Sequence, residues 1–204
     1  MERMPANSDL KNMMNNRVGT LYHYDSYTFS HSLRVAAIAG QIAESMSWRT
    51  DFVKRVCAAA MLHDIGKTRV PKRILNKPDP LTDRELRMMQ SHTLLGYFSL
   101  SRFPVFDNIK DIVLCHHERY DGMGYPFGLK KNRISLESRI IMVADAFDAI
   151  TSHRVYQRAV SSDYAVQEIN HNVYSMFDPQ VVDHFNRVIS GLSDIRQAYS
   201  RNVE

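Results

Sequence analysis

Histidine and aspartate side chains recur at five places along this chain, mostly within apolar segments. They are His31, His63, Asp64, His92, His116, His117 and Asp145. An unpaired carboxylate among apolar side chains carries a large desolvation cost, which a bound metal ion removes. A single histidine of this kind is more often a hydrogen-bonded core residue. Seven such residues would need seven independent structural explanations, so the set predicts a metal centre.

Seven ligands are too many for one metal ion and suit two. Histidine and aspartate without cysteine favour Fe, Mn, Zn or Ni over a metal selected by thiolate. Two such ions ~3.5–4 Å apart, bridged by a carboxylate and a water, hydrolyse phosphoesters with the bridging hydroxide as nucleophile. The predicted chemistry is therefore phosphoester hydrolysis.

Two cations follow the candidate ligands and could bind a phosphate. Lys67 lies one helical turn after His63, and Arg154 lies nine residues after Asp145. Cations near the metals would stabilise the charge that develops on the phosphoryl oxygens. The alternative for each is an ordinary solvated side chain.

Helical periodicity dominates the segments that must position these residues, and we expect an all-α bundle of about 7–8 helices. The expected helices cover residues 8–16, 29–46, 51–64, 82–101, 108–117, 137–152, 163–174 and 179–190. Thr50 or Asp51, Asp107 and the Thr82–Glu85 capping box provide start signals. The run IIMV within 137–152 could also be a strand. The proline-rich segment 68–81 and the long segment 119–136 are expected to be mostly irregular.

Composition is that of one globular domain, with 204 residues, 44% hydrophobic and 24% charged. No apolar run approaches the ~20 residues of a membrane span, and the N-terminus lacks a signal-peptide core. Cys57 and Cys115 have no CxxC spacing and are expected to be buried free thiols, which favours the cytoplasm. A net charge of +4 tolerates an anionic substrate but does not predict DNA or RNA binding.

Three motifs together resemble those of the HD-GYP family, a branch of the HD phosphohydrolases. They are HDIGK, HHERYDGMGYP and VADAFDAITSHRVY, and the resemblance extends from about His31 to Arg187. It implies a compact helical bundle with two or three metal ions. It also implies hydrolysis of the second messenger cyclic di-GMP to linear pGpG, and in many members onward to GMP. Iron is the metal the family favours, then manganese; Zn, Ni or Mg are also compatible.

The resemblance implies a role for each matching residue. One ion would take His31, His63, Asp64 and Asp145, while the other would share Asp64 and add His92, His116 and His117. Asp64 and Lys67 would be the catalytic residues, and Lys67 and Arg154 would contact phosphate. Tyr156 would cover a guanine ring or simply pack.

The segment after the paired histidines would form the rim of the site. Asp121, Gly122 and Gly124 supply turns, and Tyr125–Pro126 presents a stiff apolar tip. In the family this loop resembles a docking surface for partners, such as a diguanylate-cyclase-type domain. A direct substrate role for Tyr125 is the alternative. Glu118 is expected to orient a histidine.

The chain departs from the family pattern at one informative position. Some members hold a third metal with a glutamate one helical turn before the first histidine, where this chain has Tyr27. We therefore expect two metals and slow conversion of pGpG to GMP. The usual Arg-Pro-Tyr is Arg154–Val155–Tyr156 here. We divide the chain into an extension (1–24), the HD-GYP domain (25–190) and a tail or short helix (191–204).

Three other functions compete with a cyclic di-GMP phosphodiesterase. The first is hydrolysis of another cyclic dinucleotide, such as cyclic GMP-AMP, because the base-reading residues are not evident. The second is a non-catalytic module that senses the nucleotide or docks on a partner, which loss of ligands would favour. The third is an HD hydrolase acting on nucleotides or (p)ppGpp, against which the intact HHERYDGMGYP argues.

Overall fold

The computed structural model describes residues 7–47, 49–152 and 160–201. Their α-helices are α1 (Asn7–Tyr24), α2 (Ser26–Ser45), α3 (Thr50–Leu62), α4 (Lys72–Leu75), α5 (Asp83–Gln90), α6 (His92–Leu100), α7 (Lys110–Cys115), α8 (Leu136–Thr151), α9 (Ser162–His171) and α10 (Pro179–Arg201). Short 3-10 helices cover Ile65–Arg69, Pro104–Phe106 and Lys131–Arg133. Within these ranges there is no strand, only an isolated bridge between Val173 and Phe177. The all-α prediction is confirmed, and IIMV is helical.

Helix α2 is the centre of the bundle and packs against α3 and α8. Its buried face is rich in small residues, including Ala36, Ala39 and Ala43. Gly40 brings α2 close to α3, because a Cβ added there would lie 2.8 Å from Cys57 Sγ. Small side chains let these helices approach closely, so functional groups on α2, α3 and α8 can meet at one end of the bundle.

The predicted helix 82–101 is two helices that divide at Ser91. The Thr82–Glu85 capping box is present at the start of α5, and Ser91 is the cap residue of both α5 and α6. The division places His92 at the first position of α6, beside the end of α5. The extra helix end matters because it frees backbone carbonyls near this histidine.

Two predicted helix starts are wrong. The cap of α3 is Arg49 rather than Thr50 or Asp51, and it makes no side-chain cap bond. The cap of α7 is Ile109, whereas the Asp107 carboxylate accepts from Lys110 Nζ at 2.5 Å. In both cases the prediction rested only on a nearby polar residue that could cap a helix. In the structure each helix begins after a different residue.

Residues 68–81 are mostly irregular, as predicted, apart from the single turn α4. The Tyr24 hydroxyl donates to the Val70 carbonyl at 2.5 Å, and Lys77 pairs with Glu85 at 2.6 Å. These contacts hold the segment against α1 and α5, so that it forms one wall beside the histidines. Helix α1, longer than the predicted 8–16, buries Leu21 completely in the core.

The two cysteines are free and partly buried. Burial raises the pKa of the Cys115 thiol to about 11, so this thiol stays protonated near neutral pH. None of the described helices combines the length and apolarity that a membrane crossing requires.

Candidate metal centre

Asp64 is the carboxylate at the centre of the histidine-rich site. It follows the end of α3, where the chain turns into the 3-10 helix Ile65–Arg69, and it is 1% exposed. Its Oδ2 lies 3.4 Å from His63 Nε2 and 3.8 Å from His31 Nε2, while its Oδ1 lies 3.4 Å from His92 Nε2. The two oxygens of one carboxylate therefore face two different groups of histidines.

The first group, which we call cluster A, consists of His31, His63, Asp64 and Asp145. The ligating atoms of His31, His63 and Asp64 all lie within 4.8 Å of one another. Asp145 on α8 adds an oxygen 3.0 Å from His31 Nε2. Helices α2, α3 and α8 thus each contribute to cluster A, which the close packing of these three helices makes possible.

The second group, cluster B, consists of His92, His116 and His117. Their ligating atoms also lie within 4.8 Å of one another. His116 and His117 are adjacent in sequence, and they reach the same point because α7 ends at Cys115. Adjacent residues of a continuing helix would point about 100° apart.

Helix ends also fix the orientation of three rings. The Nδ1 atoms of His63, His92 and His116 lie 2.6–2.8 Å from the carbonyls of Ala60, Met89 and Val113, each three residues earlier. A carbonyl accepts only from N–H, so the proton is on Nδ1 and the Nε2 lone pair points into the site. Neutral imidazole with a free Nε2 is the form that binds metals.

This arrangement fits metal cations and is otherwise unfavourable. His92 Nε2 and His116 Nε2 lie 3.3 Å apart with both Nδ1 atoms already bound to carbonyls. Two lone pairs therefore face each other. Within the part of the chain that the structure describes, His63 Nε2 and Asp64 Oδ1 are buried without a hydrogen-bond partner. Buried polar atoms are normally satisfied, and a cation beside each group would satisfy them.

Electrostatics differ between the two clusters. Burial lowers the pKa of His92 to about 4 and that of His117 to about 3, and it lowers that of His116. For His31, burial lowers the pKa, but hydrogen bonds to Asp145 and Asp148 outweigh it and raise the pKa to about 9. Cluster B is therefore neutral, and cluster A is charged.

The carboxylates stay ionised despite their burial. Burial raises the pKa of Asp64, but the charge of the Lys67 ammonium and the contact with the His63 ring outweigh it and hold the pKa well below its usual range. Burial acts in the same way on Asp145, and the hydrogen bond with His31 reverses it. Lys67 Nζ lies 2.5 Å from Asp64 Oδ2, so the predicted cation is at the site.

An open cavity of about 360 Å³ borders both clusters. Lys67, His92, His117, Tyr125 and Asp145 face it from the bundle. Tyr27, Leu75 and Met89 also line the cavity, together with the polar residues Asp25, Thr28 and Asn76. Arg154 and Tyr156, which we expected to contact substrate, lie outside the described residues.

The loop after His117 folds back over cluster B. The Tyr125 ring stacks on the His117 ring at 4.9 Å between centroids, and the Tyr125 N–H donates to the His117 carbonyl at 3.2 Å. A Cβ at Gly124 would lie 2.3 Å from the Arg119 backbone nitrogen, so this turn needs glycine. Gly122 has φ of +83°, and Asp121 accepts from the Met123 N–H and pairs with Arg119. Pro126 follows Tyr125.

The structure corrects the role expected for Glu118. Its carboxylate bonds no histidine among the described residues but accepts from the backbone N–H groups of Phe127 and Leu129, at 2.7 and 2.9 Å. Glu118 therefore closes the loop rather than orienting a ligand. Its position next to His117 in the sequence suggested a role in the site. In the structure, however, its carboxylate points to backbone N–H groups of the loop.

The residue that does orient a histidine is Asp148, which sequence reasoning missed. Its Oδ2 lies 2.6 Å from His31 Nδ1, and Arg34 pairs with the same carboxylate. The signal was its spacing, since Asp148 lies three residues after Asp145 and therefore on the same face of α8.

Comparison with known proteins agrees with this site. The family model described as "HD domain" matches residues 10–181. The chain belongs to the HD domain family. This HD domain is 40% identical over 173 residues to a cyclic di-GMP phosphodiesterase of Thermotoga maritima. The resemblance to the HD-GYP branch is confirmed.

Other relatives of this HD domain are named for a different substrate, 3'3'-cGAMP. The chain is 35% identical over 168 residues to a 3'3'-cGAMP-specific phosphodiesterase of Vibrio cholerae, covering 82% of this chain and 36% of that protein. Among solved structures, the fold matches Bd1817, a HDG"Y"P protein from Bdellovibrio bacteriovorus, with a TM-score of 0.65 and 18% identity over 78% of this chain and 51% of that chain. That likeness supports the fold alone.

The chain spans less than half the length of the Thermotoga maritima and Vibrio cholerae relatives. The matched part is 84% of this chain but only 47% of the Thermotoga maritima protein. What the comparisons share with this chain is therefore the helical domain that carries the histidine clusters.

Proposed function

We propose that this HD domain hydrolyses cyclic di-GMP to linear pGpG. The observation that carries the proposal is the position of Asp64, whose two oxygens face two separate groups of buried histidines. One carboxylate shared between two cations is the usual arrangement for phosphoester hydrolysis by a metal pair. The relatives named as cyclic di-GMP phosphodiesterases support the substrate class.

Clusters A and B would each hold one divalent cation. His31, His63 and Asp145 would hold the first, His92, His116 and His117 the second, and Asp64 would contact both. When bound, such ions lower the pKa of water for attack on phosphorus and withdraw charge from the phosphoryl oxygens. Iron is the first choice and manganese the second, because imidazole and carboxylate ligands without thiolate suit these ions.

Lys67 would hold the phosphate that is attacked. Its ammonium is only partly buried and lies at the boundary between Asp64 and the cavity. From there it can release Asp64 and pair with a phosphoryl oxygen, where a preorganised cation stabilises the charge of the transition state. Arg154 and Tyr156 remain proposed substrate contacts, on the resemblance alone.

One feature of the cavity supports pGpG as the end product. Tyr27 lines the cavity one helical turn before His31, where a third-metal site would need a carboxylate. A tyrosine is a poor substitute for a carboxylate ligand. We therefore propose two metals rather than three, with slow conversion of pGpG to GMP.

Hydrolysis of cyclic GMP-AMP is the second candidate. The observation in its favour is the 35% identity to the Vibrio cholerae protein named as specific for that nucleotide. The cavity is open and lined by Tyr27, Leu75 and Met89, which offer apolar surface to either purine. A module that only binds nucleotide is less well supported, because every expected ligand is present in the sequence.

The loop 121–126 is a proposed docking surface for a signalling partner. Met123 within the loop is 79% exposed, and Phe127, which follows it directly, is 60% exposed. Exposed apolar side chains that form a patch are typical of protein contact sites. We also propose that the domain works in the cytoplasm, where its free cysteines would stay reduced.

The test is turnover with defined metals. Protein loaded anaerobically with Fe(II) or Mn(II) is incubated with cyclic di-GMP, and with cyclic GMP-AMP in parallel, and the products are separated by chromatography. We expect pGpG to accumulate from cyclic di-GMP and none to form with Asp64→Ala. Complete conversion to GMP would contradict the two-metal argument from Tyr27. Binding without turnover would favour the sensing module.

A further inference from the structure

His31 differs from the other histidines in how its ring is held. His63, His92 and His116 lie at helix ends, where a backbone carbonyl three residues earlier accepts from Nδ1. His31 lies inside α2, which runs from Ser26 to Ser45. The carbonyls around it are used by the hydrogen bonds of the helix. Its Nδ1 therefore needs an acceptor from another element.

Asp148 on α8 supplies that acceptor. Its Oδ2 lies 2.6 Å from His31 Nδ1, and Asp148 is 2% exposed. The other side of His31 faces cluster A, with Nε2 3.0 Å from Asp145 Oδ1. One imidazole thus connects Asp148 on one edge with the proposed metal ligands on the other.

Arg34 holds Asp148 in place from the surface. Its Nε donates to Asp148 Oδ1 at 2.5 Å, and its Nη2 donates to Oδ2 at 3.0 Å. This two-bond geometry fixes the plane of the carboxylate as well as its position. Arg34 is one helical turn after His31 on α2, and its side chain is 43% exposed. The chain of contacts therefore runs from solvent to cluster A.

We infer that Asp148 and Arg34 are positioning residues that aim His31 at the metal of cluster A and leave cluster B unaffected. The inference rests on the proposed metal centre. A carboxylate behind a metal-binding imidazole fixes its tautomer and orientation, and removal of such a partner typically costs 10–100-fold in metal affinity. In cluster B, His92 and His116 are oriented by backbone carbonyls, and among the described residues Asp148 bonds none of the three cluster B histidines.

The chain offers a matched control in Asp178 and Arg139. Asp178 is also buried, at 3% exposed, and it pairs with Arg139 on α8. Nine residues of α8 separate Arg139 from Asp148, about 13 Å along the helix. Asp178→Asn therefore removes a buried carboxylate paired with arginine without touching His31.

Manganese binding to the whole chain tests the inference. Protein stripped with a chelator is titrated with Mn(II), and free Mn(II) is followed by electron paramagnetic resonance. We expect two equivalents in the wild type. In Asp148→Asn, one equivalent should weaken about 10–100-fold and the other should not change. Arg34→Gln, a surface change, should weaken the same equivalent by a smaller factor, and Asp178→Asn should weaken neither.

Urea unfolding of the metal-free variants separates positioning from general loosening. We expect the free energy of unfolding to fall in both Asp148→Asn and Asp178→Asn. Only Asp148→Asn should also show weaker binding of the manganese equivalent assigned to cluster A. Two wild-type equivalents in Asp148→Asn would overturn the inference and leave the metal centre standing. Equal weakening of both equivalents would also overturn it. A wild-type chain that binds no manganese would overturn the inference and the proposed metal centre together.

Discussion

Clusters A and B use the same side chain in two electrostatic settings. Cluster A combines two histidines with Asp64 and Asp145, and Asp148 stands behind it. Cluster B contains three neutral histidines, two of them held by backbone carbonyls. The difference follows from His31, which lies inside a helix and bonds a carboxylate, whereas a backbone carbonyl holds the ring of each histidine at a helix end. Cluster A therefore carries negative charge that cluster B can obtain only by sharing Asp64.

Removing the shared carboxylate of Asp64 should eliminate metal binding in both clusters. In Asp64→Ala both clusters lose their common ligand, and we expect neither metal to be retained. Loss of the several kcal/mol that a metal pair contributes predicts a fall in turnover of about 10³-fold or more. Metal content after gel filtration and the rate of pGpG formation check this. A variant that keeps one full equivalent would show that Asp64 belongs to one cluster.

The apparent metal affinity should depend on pH in cluster A but not in cluster B. His31, whose pKa is raised to about 9, is protonated at pH 7 in the metal-free protein and must lose that proton to bind a metal. We expect the apparent affinity of cluster A to fall about tenfold per pH unit from pH 9 to 7. His92 and His117, whose pKa values are lowered to about 4 and 3, are already neutral, so cluster B should show no change.

Mn(II) titrations at pH 7, 8 and 9 measure this difference. Calorimetry in buffers of different ionisation enthalpy adds a count of released protons. One proton should be released when Mn(II) binds to cluster A, and none when it binds to cluster B. Release with both equivalents would mean that the two clusters share one electrostatic setting.

Lys67 should affect catalysis without affecting either cluster's metal. Lys67→Met removes the ammonium beside Asp64 but no proposed ligand. We expect kcat to fall about 10²-fold, the range for one group that stabilises transition-state charge, with two equivalents of metal retained. Single-turnover kinetics and metal analysis check it. Lys110→Met, which removes an ammonium from the Lys110–Asp107 pair, is the control and should keep wild-type kcat. Metal loss in Lys67→Met would instead give Lys67 a role in holding Asp64.

Glu118 should have the smallest effect, confined to cluster B. Glu118→Gln leaves one acceptor for the two N–H groups of Phe127 and Leu129 and removes the charge. The expected cost is about 1–3 kcal/mol of loop stability. We expect faster amide exchange in 119–129 and a few-fold weaker second metal equivalent, through the stacking of Tyr125 on His117. Glu85→Gln, in the surface capping box, should change neither quantity, and an unaltered loop in Glu118→Gln would contradict the role given to Glu118.

Local signals predicted most of the helices and failed at particular boundaries. The Thr82–Glu85 capping box is present because its partners are three residues apart. The break at Ser91 was not predicted, because no glycine or proline marks it. Its consequence is also tertiary: it leaves the Met89 carbonyl to hold the His92 ring, which faces His116. The starts at Arg49 and Ile109 were missed because neither residue provides a capping side chain.

The sequence by itself determined the ligand types, the all-helical class and the motifs that place the chain in its family. Those features depend on residue identity and on spacing within one segment. Only the tertiary structure decided that Asp64 faces both clusters, that Asp148 rather than Glu118 supports a histidine, and that Tyr125 stacks on His117. Each of these contacts depends on how helices and loops pack across the chain. His31 and Asp148 are 117 residues apart, and no local pattern encodes a distance of 2.6 Å between them.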